Sequence, residues 1–284
     1  MAGQRTAPRR TSARRYVASN RADWERTAAE YEARHARALR RYGGRAWGLF
    51  RIPERRLRLL DDVRGARVLE LGCGSAGWSI ALAKAGAEPV GLDLSARRLE
   101  QARARMRRVG VTFPLVEAPA DRIPFPAARF DLVLSDYGAT TFADPRRTIP
   151  EVARVLRPGG AFVFAHASPW RSAMFDFRHD RLTRRLKRDY FDLHALRWDR
   201  TVEFQLPYAE WVALFTASGL VVERLLEPKA PRGERSSYLS AADHAWARRW
   251  PVETIWKLRK GGAPRGSRRP ASRRRGGRRP AAKP

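Results

Sequence analysis

The chain has 284 residues, with 58 Lys plus Arg against 29 Asp plus Glu, a formal net charge of +29. No apolar run approaches the roughly 18 residues of a membrane span, and no apolar stretch follows the charged N-terminus as in a secretory leader. The single cysteine, Cys73, excludes an internal disulfide framework or a cysteine-built metal site, and fits a reducing, cytoplasmic setting.

The positive charge is unevenly spread. Residues 1–15 hold five Arg and no acid, and residues 257–284 hold twelve basic residues and no acid. The ends therefore carry more than half of the excess, and the pI describes them better than it describes the middle.

In chain order, residues 1–19 read as a disordered basic arm. Residues 20–60 read as N-terminal cap helices. The first covers Asp23 to about Arg41, where Trp24, Ala28, Tyr31, His35 and Leu39 recur at helical spacing, and the second Pro53 to Leu60. Over 61–166 strand and helix alternate. Strands are expected at Arg67–Leu71, Glu88–Asp93, Val111–Val116, Phe130–Ser135 and Ala161–His166, and helices at Trp78–Ala85, Ser95–Val109 and Pro145–Leu156. That rhythm implies an α/β fold: a Rossmann-like, mostly parallel sheet with helices on both faces, plus the helical cap. Residues 167–206 break it with an aromatic-rich insertion, read as a lid over the substrate region, most rings forming its own core and one or two facing substrate. Residues 207–260 complete the sheet with a helix near Tyr208–Ser218 and strands at Leu220–Leu226 and Val252–Leu258. Residues 261–284 read as a disordered basic tail.

The sharpest motif is Val68-Leu-Glu70-Leu-Gly72-Cys73-Gly74-Ser-Ala-Gly77, running from a strand into a helix. Glycines there allow a tight turn and close approach of a ligand to backbone. Asp93 follows at the end of the second strand, where a carboxylate can accept ribose hydroxyls. The pattern alone does not separate nicotinamide cofactors from other adenosine-containing ligands.

Four blocks in order carry a family resemblance: Val68–Gly77 with Glu70, Val90-Gly-Leu-Asp93-Leu-Ser95, Ile123-Pro-Phe-Pro before Phe130-Asp-Leu-Val-Leu-Ser135, and Val155-Leu-Arg-Pro-Gly-Gly160. Over about residues 65–166 the chain resembles the class I S-adenosyl-L-methionine-dependent methyltransferases, of the small-molecule, ubiquinone/menaquinone-biosynthesis type. The resemblance implies that Glu70 lies near the methionine amino group and that the Gly72-Cys73-Gly74 backbone meets the methionyl and ribose parts. It implies Asp93 on the ribose, Leu94 on adenine, Ala120 N–H and Asp121 at the adenine edge, and Ser135 and Asp136 bordering methionine and acceptor. Two departures stand out. Ala76 replaces the family's commonest third glycine, and Pro119 stands where an adenine-binding Asp is frequent, leaving Asp121 or Glu117 for that role.

Methyl transfer from a sulfonium needs alignment, a dry pocket and sometimes a base. Base candidates are Asp136, Tyr137 and His166 at strand ends, with His179, Asp180 and His194 in the insertion; His166 is best placed, because ligands sit at the C-terminal ends of parallel strands. Cytosine C5 methylation needs a cysteine nucleophile, and Cys73 is inside the cofactor turn. Ser135-Asp-Tyr-Gly138 lacks the proline pair of exocyclic-amine methyltransferases, and no paired-glutamate loop of the arginine methyltransferases is found. The expected partner is a small-molecule methyl acceptor, with non-specific nucleic acid contact through the basic tail as a further one. The rival readings are an RNA- or DNA-associated methyltransferase recruited by that tail, a nicotinamide-dependent oxidoreductase, and a non-catalytic cofactor-binding scaffold.

Overall fold

The computed structural model describes residues 13–198, 200–233 and 235–262. The basic arm and tail expected at the ends fall outside these residues, except that residues 13–19 are helical and 261–262 are described. Helix α1 spans Ala13–Arg40. Its buried positions Tyr16, Asn20, Ala28 and His35 fall on one face at multiples of three and four. Asn20, the chain's one asparagine, fixes that face: its amide nitrogen donates to the Phe142 and Val202 carbonyls, and its oxygen accepts from Val202 N–H at 2.7 Å.

Seven strands form the main sheet: β1 Arg67–Leu71, β2 Glu88–Asp93, β3 Leu115–Glu117, β4 Phe130–Asp136, β5 Leu156–Ala167, β6 Leu220–Leu226 and β7 Glu253–Lys260. Their order is β6-β7-β5-β4-β1-β2-β3. All neighbours from β5 to β3 are parallel, and β7 runs antiparallel between β5 and β6. Between β1 and β4 the strand order reverses, which opens a crevice at their C-terminal ends.

Helices α2 Gly77–Lys84, α3 Ala96–Val109, α4 Pro145–Val155 and α5 Tyr208–Ala217 cover the sheet. Helix α3 starts where Ser95 Oγ accepts from Arg98 N–H, and stops at Gly110 in the left-handed region. Helix α4 starts on an Asp144 cap with Pro145 in its first turn. The strand period of two divides the core. Phe162 and Phe164 pack on one face with Trp211 and Trp256, while Val163 and Ala165 pack on the other with Leu132, Leu134 and Ile255.

Several expectations shift. The second cap helix is a single turn, Glu54–Leu57, and the third strand is shorter, beginning at Leu115. The fifth strand starts five residues early, at Leu156, by continuing through Pro158-Gly-Gly160. The insertion is less helical than a helical cap implies: a short helix Pro169–Met174 is followed by two-stranded pairings of Phe175–Asp176 with Arg181–Leu182 and of Ala195–Trp198 with Thr201–Phe204. Its rings Phe175, Phe177 and Trp198 pack on one another, with centroids 4.2–5.2 Å apart.

Candidate active site

The crevice between β1 and β4 is a cavity of about 310 Å³. Its floor is the glycine turn. Gly72 (φ 69°) and Gly74 (φ 52°) are left-handed, and so is Ala76 (φ 55°), where the expected third glycine is missing. A Cβ on Gly72 would lie 2.3 Å from Ala139 N, and one on Gly138 would lie 2.4 Å from the Leu71 carbonyl oxygen. The two strand ends thus meet backbone to backbone, because neither residue has a side chain.

Asp93 closes one side of this floor. One carboxylate oxygen accepts from Gly74 N–H at 2.8 Å and the other from Ser95 N–H at 2.9 Å. Each oxygen keeps a lone-pair direction, so the pair still offers two acceptors to a vicinal diol in the cavity. Burial pushes the Asp93 carboxyl up, and the amides of Ser95 and Gly74 oppose the shift. Glu70 also lines the cavity. Its Oε2 takes both the N–H (2.8 Å) and the hydroxyl (2.6 Å) of Ser79 in α2. Burial raises it to about 7. Cys73 is buried against Gly91, and burial pushes its thiol well up, so it is inert.

Leu94, Pro119, Ala120 and Asp121 form the adjoining wall. Asp121 Oδ2 accepts from Tyr16 Oη at 2.9 Å and from Arg147 Nε at 3.0 Å, so this carboxylate ties α1 and α4 to the wall. Glu117 is elsewhere, paired with Arg21 at 2.6 Å on the surface. Helix α1 roofs the cavity with Tyr16, Trp24 and Tyr31. Opposite the turn, Leu49, Phe142, Tyr238 and Leu239 give a largely apolar wall, with Arg171 and Glu203 set into it 3.8 Å apart.

His166, Ser135 and the candidates of the insertion behave differently from expectation. His166 does not line the cavity. It is 1 % exposed, wedged against Phe164 and Trp211, with Nδ1 2.8 Å from the Ala167 carbonyl oxygen. Burial lowers it to about 4, so it is a neutral core histidine. Although His166 stands at a strand end, β7 and Gln205 cover this end of β5 and keep it out of the crevice. Ser135 is fully buried, and its hydroxyl donates to the Leu71 carbonyl, bracing β4 against β1. Among the described residues the insertion contributes no ring to the cavity, only Arg171 and Glu203. His179 pairs with Asp176, His194 with the Asp144 cap, and Asp180 occupies an exposed left-handed turn position.

Asp136 and Tyr137 do line the cavity. Asp136 accepts from Gly48 N–H (2.8 Å), Arg51 Nη1 (2.7 Å) and Trp78 Nε1 (3.3 Å). With that many donors it anchors the 48–51 loop and has little capacity left as a base. Glu253 on β7 holds the same loop, accepting from Leu49 N–H at 2.7 Å, and burial pushes it up to about 8. Tyr137 is left-handed (φ 52°), and burial with the nearby Glu253 carboxyl pushes its hydroxyl well up, so it remains a donor at neutral pH. Tyr137 Oη and Glu253 Oε1 are both buried without a hydrogen-bond partner among the described residues. Arg51, Arg171, Glu203 and Glu253 belong to no motif. Only the fold brings them here.

The donor set and the side-chain-free floor fit a nucleoside with an amino-acid arm. Comparison with known proteins agrees. Residues 69–164 match a family described as a methyltransferase domain. Over 123 residues the chain is 38% identical to a fatty-acid O-methyltransferase of Mycolicibacterium smegmatis, covering 40% of this chain and 44% of that one. Over 129 residues it is 33% identical to the demethylmenaquinone methyltransferase of Bacillus subtilis, covering 44% and 54%. The match thus spans about half the length of these relatives. Among solved structures, an S-adenosylmethionine-dependent methyltransferase of Mesorhizobium loti superposes with a TM-score of 0.59 at 25% identity, over 72% of this chain and 94% of that one.

Proposed function

We infer that this chain, which matches a methyltransferase-domain family over residues 69–164, is a class I S-adenosylmethionine-dependent enzyme that methylates an apolar small molecule. One observation supports this most: a single cavity joins the Gly72–Gly77 turn and Asp93 to an aromatic and aliphatic wall roofed by α1. S-adenosylmethionine, when bound, supplies an electrophilic methyl group on a sulfonium. The residues here would bind and orient. Asp93 holds the ribose diol, the Gly72–Gly74 backbone receives the thioether arm, Leu94 and Ala120 flank adenine, and Glu70 faces the amino group. Trp24, Tyr31 and Phe142 exclude water from the reacting end.

At the acceptor end Tyr137 donates a hydrogen bond, Arg171 attracts a negatively charged oxygen, and Glu203 takes the proton of a neutral acceptor. Burial raises the Glu203 carboxyl and the Arg171 guanidinium opposes the shift, so this carboxylate is a stronger proton acceptor than an exposed one. The fatty-acid O-methyltransferase relative makes a carboxylic acid the first acceptor to test. Long-chain acids, quinols and aromatic amines are to be incubated with methyl-labelled cofactor. Label in the solvent-extractable product supports the reading, whereas label only in RNA or DNA would overturn it.

The nine basic residues of 263–284 support a second element, salt-dependent, sequence-independent contact with nucleic acid, since Lys257, Arg259 and Lys260 are held in β7. Retention on a nucleic acid column that is lost on removing residues 263–284 tests it. Among the described residues no helix is long and apolar enough to cross a membrane. A cytoplasmic location is proposed with the rest, on the buried, unpaired Cys73.

A further inference from the structure

Among the described residues four guanidinium groups line the cavity: Arg51, Arg98, Arg105 and Arg171. Three have a carboxylate within ion-pair distance. Arg51 pairs with Asp136 at 2.7 Å, Arg98 with Glu32 at 3.5 Å, and Arg171 with Glu203 at 3.8 Å. Arg105, on the third turn of α3, has none among the described residues. Its hydrogen bond is a long one, 3.4 Å from Nη1 to Ser75 Oγ. Glu32 and Glu70 act on it only from beyond pairing distance, and burial outweighs them, lowering its affinity for the proton.

A half-buried guanidinium without a counter-charge is costly. This one is also placed at the glycine turn: a Cβ on Gly77 would lie 3.4 Å from Arg105 Nη1. Gly77 is the first residue of α2, so the helix N-terminus adds its positive end at the same spot. Asp93 binds the other flank of the turn, through Gly74. A ligand lying along the turn with its diol on Asp93 therefore has its far arm directed to a cationic corner. S-adenosylmethionine carries one anionic group, the α-carboxylate of that arm. Its sulfonium and amino groups are positive, and its ribose and adenine are neutral.

Building on the methyltransferase reading, we propose that Arg105 is the residue that binds the cofactor's α-carboxylate, with the N-terminus of α2 as the second source of positive charge. Arg105 then selects for the complete amino-acid arm and against ligands that lack it.

Calorimetry with two ligands tests this without turnover. S-adenosylhomocysteine has the carboxylate, and 5′-methylthioadenosine lacks the whole carboxylate-bearing end. Arg105→Met is expected to weaken S-adenosylhomocysteine about 10- to 100-fold and to leave methylthioadenosine within about twofold. Arg105→Lys, which keeps the charge but not the fork, is expected to fall between. Equal loss for both ligands would show a merely structural role and overturn the proposal, as would unchanged affinity for both. If Arg105→Met does not melt cooperatively, the Arg105→Lys affinity ratio for the two ligands decides: a loss confined to S-adenosylhomocysteine supports the assignment, and an unchanged ratio rejects it. Wild-type protein that binds neither ligand would instead overturn the cofactor reading, and the proposal with it.

Discussion

Gly72 and Gly138 occupy one another's side-chain space. A Cβ on Gly72 would lie 2.7 Å from Gly138 Cα, and one on Gly138 would lie 2.7 Å from the Gly72 carbonyl oxygen. Both contacts are to backbone, which cannot swing aside as a side chain can. Gly72→Ala adds a left-handed strain that Gly138→Ala lacks, since only Gly72 has a positive φ. Each variant is expected to lose more than about 2 kcal/mol of stability, Gly72→Ala the more, together with cofactor affinity. Denaturant titration measures the first and calorimetry the second.

Ala76 is the opposite case. It holds a left-handed conformation, φ 55° and ψ 41°, that costs an alanine about 1 kcal/mol or more. Glycine there relieves the strain, but gives up a fully buried methyl worth about 0.8 kcal/mol and adds freedom to the unfolded chain. Ala76→Gly is therefore expected to stay within about 1 kcal/mol of wild type. A larger loss in thermal unfolding would show that the methyl contact with Ile80, Ala102 and Met106 matters more than the backbone.

The roof depends on Asn20. Asn20→Ala leaves the Val202 amide and the carbonyls of Val202 and Phe142 without these partners inside the protein. A cost of about 2–4 kcal/mol is expected, with a several-fold fall in cofactor affinity as α1 loosens over Trp24 and Tyr31. Faster hydrogen exchange confined to residues 13–40 would locate the effect. Uniform exchange across the sheet would contradict it.

Ligand-free protein should be less stable in mild alkali. Burial raises Glu70 to about 7 and Glu253 to about 8, both above the ordinary 4.5. A carboxyl raised in the fold contributes stability that is full below its unfolded value and lost as pH rises through its folded value. His166, lowered to about 4, has the opposite sign and costs stability only below its ordinary 6.5. Between about pH 6.5 and 8.5 the two glutamates dominate, and stability is expected to fall by on the order of 2–3 kcal/mol. Glu253→Gln, which can still accept from Leu49 N–H, should flatten most of that slope. Denaturant titrations at the two pH values measure it, and an unchanged slope in the variant would remove Glu253 from the account.

The glycine turn and its carboxylate were legible in the sequence and the opposite wall of the cavity was not, for a physical reason. Residues 68–77 and 93–95 act through local backbone geometry, so their spacing alone places the turn, the Ser95 cap and the carboxylate of Asp93. Arg51, Arg171, Glu203 and Glu253 come from four separate segments, and long-range packing alone makes them neighbours. His166 misled for the same reason. Its strand-end position is right, but an antiparallel β7 covering it cannot be read from the six residues Ala161–His166. Trp24 and Tyr31, read from helical spacing, do roof the cavity, while Phe175, Phe177 and Trp198 of the insertion pack on one another.

Recognition of the adenosine and amino-acid parts of S-adenosylmethionine by Asp93 and the Gly72–Gly74 turn is to be measured by calorimetry. S-adenosylmethionine, S-adenosylhomocysteine and NADPH are titrated into wild type, Asp93→Ala and Asp93→Asn. The first two ligands should bind wild type and NADPH should not, and both substitutions should weaken binding at least about tenfold by removing charged acceptors from the ribose. Binding of NADPH in place of the sulfonium, or undiminished binding by folded Asp93→Ala protein, would contradict the account.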